Sequence, residues 1–340
     1  MRSAPDRRER KGLDRTARFA YFIALALAVT ASLADTVDIR EWLVPWEDSA
    51  PTDAHLDARG RVWFVSTEGD YVGNFSPQTA EFNRYDLRRG VAPSALLVDG
   101  ENILWFASSE QRHIGKLNPS TGQVVQIDMP NRKARTPRSL TFDGNGDIWF
   151  TVEQGKFVGR LRTQSEEIEL VALPTRNSQP YGIVVNGKNE PWVAAAGSNL
   201  LIRVDPLTMT VTEFPIPDVD ARPRRIVATS DDQIWYADYE RGVLGRLEPD
   251  IRRFSEWRMP GGPDSRPFGM TVDRNDRIWI VETGPSPNRL IGFDPAIGVF
   301  LTESDIPSGA GSISHLYYHE AAGEIWFGTA SNYVGRAIAH

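Results

Sequence analysis

The chain has 340 residues, no cysteine, 41% hydrophobic residues and a formal charge of −7, a globular composition that excludes disorder and a disulfide scaffold. The acidic balance also argues against nucleic acid, whose binders need a clustered basic surface. The strongest basic run, Arg222-Pro223-Arg224-Arg225, is one turn long.

Residues 1–18 hold seven Arg or Lys against three acids, followed by eleven apolar residues from Phe19 to Val29 and the small-residue stretch Thr30–Ala34. That order is a signal peptide over residues 1–34. A short N-terminal anchor is the alternative, but the apolar run falls short of the roughly 18–20 residues of a spanning helix. The remainder, 35–340, carries a net charge of about −11 after loss of that basic segment. It is expected to be periplasmic or secreted, monomeric, and without a stable membrane span.

Downstream, one word recurs to the end of the chain, most legibly as Gly146-Asp147-Ile148-Trp149-Phe150. Its tryptophan recurs at Trp63, Trp105, Trp149, Trp192, Trp235, Trp279 and Trp326, spaced 42, 44, 43, 43, 44 and 47 residues apart. A regular period in the low forties marks a repeat fold. It overrides the two-domain expectation that length alone would suggest. Six residues before each tryptophan stands Asp57, Asp99, Asp143, Asn186, Thr229, Asp273 or Glu320, and turn prolines follow at Pro77, Pro119, Pro206, Pro249 and Pro295. Between these marks lie four short apolar runs, such as 139–142, 148–151, 157–161 and 168–173. Four strands per repeat make a propeller blade, so the fold class is an all-β, seven-bladed antiparallel propeller. A six-bladed calcium-dependent lactonase is opposed by the seven copies.

Asp38–Pro45 matches the last strand of a repeat, as in Thr212–Pro217 and Ser255–Pro260, whereas the chain ends after a third strand at Tyr333–Ile338. The N-terminal strand therefore completes the C-terminal blade and removes the exposed edges of an open array. In each meander, the connection into the inner strand and the loop after the tryptophan share one face. That face gathers Arg138, Tyr181, Arg224, Phe268 and His315 with the acids Glu68, Glu110, Glu153, Asp238, Glu240 and Glu282. The seven tryptophans read as packing between blades, with Trp42 and Trp257 on outer strands. Asp143–Asp147 opens like a calcium loop, but Ile148 and Gln154 stand where such a loop needs glycine and a bidentate glutamate. It reads as a turn.

Pro180-Tyr181-Gly182-Ile183, Gly146–Phe150, Val158-Gly159-Arg160-Leu161 and Phe214-Pro215-Ile216-Pro217 together resemble the streptogramin B lyases (virginiamycin B lyases). The likeness runs over residues 38–338. It implies a magnesium-assisted elimination that opens a cyclic ester, with two histidines and two metal-holding glutamates. Carried over, those four positions are Phe268, His315, Ile313 and Ala330, and only His315 matches. A lone histidine cannot both abstract a proton and assemble a site of carboxylate oxygens for a hard cation. The expectation is a propeller that binds a small polar or cyclic ligand at the channel rim through Arg138, Tyr181, Arg224, Phe268, Glu153, Asp238 and Glu282. His315 is the catalytic candidate, and magnesium is implied by the resemblance alone. The alternatives are an active carbon–oxygen lyase on a cyclic ester or lactone using a divalent cation, and a scaffold for a protein partner.

Overall fold

Each ruler tryptophan lies on the second strand of a four-stranded antiparallel sheet, and there are seven such sheets among the described residues. The structure, a computed structural model, describes residues 37–339; the export segment read from 1–34 lies outside them. Apolar residues fill the second strands throughout, so that Val62–Ser66 and Ile278–Glu282 are buried at every position. Outer strands such as Glu81–Asp86 alternate half-buried and exposed side chains, as expected where one face meets water.

All seven tryptophans are at most 2% exposed and pack between blades. Burial of a ring of that size removes roughly 150–250 Å² from water, about 4–6 kcal/mol gross. The preceding aspartate has two tasks. Asp57 Oδ1 accepts the backbone N–H groups of Arg59 and Arg61 at 2.9 and 3.0 Å, while Oδ2 accepts Trp63 Nε1–H at 2.8 Å. Asp99, Asp143 and Asp273 repeat the indole bond. The Asp143 carboxylate is thus fully used within its turn. In the seventh blade the turn is one residue longer, and Glu324 replaces Glu320 as the indole's acceptor, at 3.0 Å. The glycine of the third strand has a packing reason: a Cβ on Gly73 would collide with the Phe64 ring.

The N-terminal strand (Asp38–Leu43) pairs along its whole length with the last strand (Tyr333–Ile338), giving the seventh sheet its outer member. Trp42 stacks on Trp326 at 5.7 Å and 18° and meets Phe75 of the first blade at 5.0 Å. Glu41 accepts Ser308 N–H and Oγ–H at 2.6 and 2.7 Å, and Asn332 Nδ2 donates to the carbonyls of Val44 and Trp46 at 3.1 and 2.9 Å. Deleting residues 37–46 should therefore lower the melting temperature by more than 10 °C, since it removes a strand's ladder and a buried stack together. An unchanged melt would show that closure lies elsewhere.

In the fourth and fifth blades, Asn186 and Thr229 replace the aspartate, and the indole nitrogens of Trp192 and Trp235 are buried without a partner. Thr229→Asp should supply one, raising stability by about 1 kcal/mol and the melting temperature by about 2 °C. Calorimetry that finds no gain would contradict this reading of the repeat.

Candidate functional site

The inner strands surround a channel, and their register against the tryptophans sets which side chains meet. The residues opposite the tryptophans include His55, Thr141, Val227, Thr271 and Tyr317. Two positions upstream, one level of the channel is ringed by Asp53, Ala95, Ser139, Gly182, Arg225, Gly269 and His315. A cavity of about 240 Å³ on the mouth side and another of about 250 Å³ on the far side share Ser139 and Arg225 as lining. This level is the constriction between them.

Blade closure brings Asp53 and His315 together there. His315 Nδ1 lies 2.6 Å from Asp53 Oδ1, and Asp53 Oδ2 accepts the Leu96 N–H at 2.7 Å. His55, two residues along a strand whose register is irregular here, stacks on His315 at 5.4 Å and 23° and meets the tilted Tyr317 ring at 4.5 Å. Burial pushes the Asp53 carboxyl up, but His315, His55 and Arg225 outweigh it and hold the group well below the usual carboxylate range. Burial also dominates His55, lowering it to about 4 against the pull of Asp53. Asp53 carries a left-handed backbone, φ +55°, a conformation aspartate tolerates better than most residues but that is seldom found inside a strand.

On the mouth side, cations and rings alternate. Tyr181 and Phe268 stand 5.9 Å apart, and Tyr239 lies 5.5 Å from Phe268. Arg138 sits over Tyr181 at 4.8 Å, Arg224 over Tyr239 at 3.8 Å, and Arg225 over both Tyr181 and Phe268 at 5.4 and 5.8 Å. Glu153 lies 3.4 Å from Arg138, and Glu240 is shared by Arg266 at 2.5 Å and Arg224 at 3.7 Å. Arg225 differs. Its side-chain hydrogen bond goes to the neutral Ser139 Oγ at 3.3 Å, and among the described residues it forms no direct ion pair. Burial lowers its pKa, yet a guanidinium stays charged.

The structure thus brings together five residues expected at the rim: Arg138, Glu153, Tyr181, Arg224 and Phe268. Asp238 and Glu282 are placed otherwise, and this corrects the rim expectation for both. Each is 0% exposed, held by Arg241 at 2.7 Å and by Arg289 at 2.5 Å respectively. They also receive the backbone N–H of Arg222 and of Gly261. The reason is strand parity. Both lie three residues after the tryptophan, at the strand end whose side chains turn inward, as do Ser66 and Ser108. Glu153, at four, faces the mouth. His315 also shifts: the longer seventh turn puts Ile313 in the place of Pro267, so His315 matches Gly269 rather than Phe268. Asp53, His55, Arg225 and Tyr239 escaped the sequence reading. A signal for the first two existed, since an acid and an imidazole occupy positions that are Ala95 and Leu97 in the next copy.

The model of the virginiamycin B lyase family matches residues 21–289 of the chain. The chain belongs to the virginiamycin B lyase family. Among solved structures, it is similar to virginiamycin B lyase from Staphylococcus aureus, at 22% identity and TM-score 0.81 over 89% of this chain and 100% of that one. A streptogramin B lyase matches at 23% identity and TM-score 0.79, over 88% and 97%. A catalytically inactive histidine-to-alanine variant of the S. aureus enzyme with quinupristin matches at 21% and 0.80, over 89% and 100%. No curated protein matches the chain. These identities support the shared fold.

The two positions that the sequence resemblance carries over as magnesium ligands, Ile313 and Ala330, do not fit a hard cation. Ile313 is fully buried, with its carbonyl accepting Gly269 N–H at 3.0 Å, and Ala330 lines the mouth with a methyl group. Neither offers the oxygen a hard cation requires. The donors that do converge are Asp53, His55 and His315, whose candidate ligand atoms all lie within 4.8 Å of one another.

The sign of the pH dependence follows from His55. Its pKa is depressed in the fold, from 6.5 to about 4, so the unfolded chain binds the extra proton. The stability it contributes is present above pH 6.5 and is lost as pH falls toward 4. Asp53 extends that loss to still lower pH. In metal-free buffer, unfolding free energy should fall by about 3 kcal/mol between pH 7 and 4 on account of His55. His55→Leu should flatten this slope in denaturant titrations. Parallel slopes for variant and wild type would contradict the assignment.

Proposed function

We propose that this family member is a binding protein for a small anionic molecule carrying a ring, held at the mouth of the channel, with weak or absent lyase activity toward streptogramin B antibiotics. The observation that carries this reading is Arg225, a guanidinium lodged between Tyr181 and Phe268 that forms no direct ion pair among the described residues. An anionic group meeting it gains a charge-assisted bond in a partly desolvated place, while the flanking rings offer flat apolar contact. Arg138 lines the mouth and pairs with Glu153, while Arg224 shares Glu240 with Arg266. The mouth volume of about 240 Å³ is below the roughly 300 Å³ at which drug-sized pockets begin, which favours a compact ligand.

Ring opening by elimination needs a base and a cation to hold charge developing on the carbonyl oxygen. Phe268, Ile313 and Ala330 supply neither. Incubated with a streptogramin B and magnesium, the protein should leave the antibiotic ring intact by mass spectrometry; efficient opening that vanishes in His315→Ala would overturn the noncatalytic reading.

Binding is tested with benzoate-class carboxylates against their neutral methyl esters by calorimetry or ligand-observed NMR. The carboxylates should bind and the esters should not. Arg225→Gln should weaken binding by about 10-fold or more, the scale of one charge-assisted hydrogen bond. Equal binding of acid and ester, or an unaffected Arg225→Gln, would refute the proposal.

A further inference from the structure

We propose that Asp53, His55 and His315 form a site for one divalent transition-metal ion of the zinc class, set where the first and seventh blades meet inside the channel. Asp53 and His55 come from one inner strand and His315 from the neighbouring blade, so three donors converge from two sides. Their candidate ligand atoms lie within 4.8 Å of one another. Bonds of about 2 Å in a tetrahedral site put ligand atoms roughly 3.3 Å apart. Binding would draw the three side chains toward a common centre by the difference between these spacings.

Two features separate this cluster from an ordinary buried ion pair. Asp53 is 6% exposed, and its Oδ1 and His315 Nδ1, although 2.6 Å apart, each lack an aligned hydrogen bond. The other carboxylate oxygen is tethered by Leu96 N–H, the kind of outer bond that orients a metal-ligating carboxylate. The left-handed backbone at Asp53 aims that carboxylate; such local strain is common at functional sites.

The donor set selects the ion. Two imidazoles and one carboxylate suit zinc, cobalt or ferrous iron, whereas magnesium and calcium prefer oxygen ligands. Three protein ligands leave a coordination position free, and the cluster lines the far chamber of the channel. The site is therefore of the open kind, able to take water or a ligand atom. It differs in place and chemistry from the magnesium positions of the family resemblance. Its ligands are other residues than Arg225, although Arg225 lines the same chamber, so Arg225→Gln tests anion binding and Asp53→Asn tests metal binding, and each proposal can fail by its own variant.

The test uses tag-free full-length mature protein stripped of metal, with Co²⁺ and Zn²⁺ as the probes. One equivalent of Co²⁺ should bind with a dissociation constant on the order of 10 μM or tighter, give the visible absorption of low-coordinate cobalt, and be displaced by Zn²⁺ but not by millimolar Mg²⁺. Asp53→Asn and His55→Ala should each weaken binding at least about 100-fold, at or beyond the loss typical of an outer-shell change. His319→Ala, outside the cluster, should leave it unchanged. Metal-free melting curves establish that each variant is folded; were both cluster variants unfolded, the wild-type spectrum and Mg²⁺ competition would still decide. Absence of stoichiometric binding by wild type, displacement by Mg²⁺, or undiminished binding in folded Asp53→Asn would overturn the site.

Discussion

Pairing of the N-terminal strand with the C-terminal one is the constraint on which the rest depends. A propeller blade buries its faces only against neighbours, and without this ladder the seventh sheet would end in a bare edge. The six paired positions from Asp38–Ile338 to Leu43–Tyr333 close that edge, and the Trp42–Trp326 stack gives the closure an apolar core. Closure also sets the seventh blade beside the first. Only then do Asp53 and His315, separated by nearly the whole chain, come to 2.6 Å.

The same geometry sorts charges by depth. At the mouth, arginines and glutamates meet near water, where an ion pair is worth little and mainly positions the side chains. One level deeper, burial makes each unmatched charge costly. Arg225 is tolerated because two aromatic faces and a serine hydroxyl surround it, and Asp53 because two imidazoles and a backbone N–H do. Such groups contribute less to stability than apolar residues of similar size would.

Family membership and this channel chemistry point in different directions, and the difference is local. The chain belongs to the virginiamycin B lyase family, and its seven sheets are closed by the N-terminal strand. The channel carries the polar set of Asp53, His55 and His315, while Ile313 is buried and Ala330 offers the mouth only a methyl group. A rigid ring permits this, because channel-facing side chains can change without disturbing the inter-blade packing.

The sequence by itself determined the repeat, the number of blades, the closing strand and the face on which the loops of the channel mouth gather. Those follow from local periodicity, and a period survives without knowledge of contacts. Tyr181, Phe268, Arg138 and Arg224 were legible for the same reason, standing at equivalent places in successive copies. The tertiary structure alone decided parity and register. A one-position difference along a strand turns a side chain from the mouth to the interior, which buried Asp238 and Glu282 and left Glu153 at the rim. One additional residue in the last turn moved His315 a level deeper. The Asp53–His55–His315 cluster joins the two ends of the chain, and no local pattern encodes a contact made only when a ring closes.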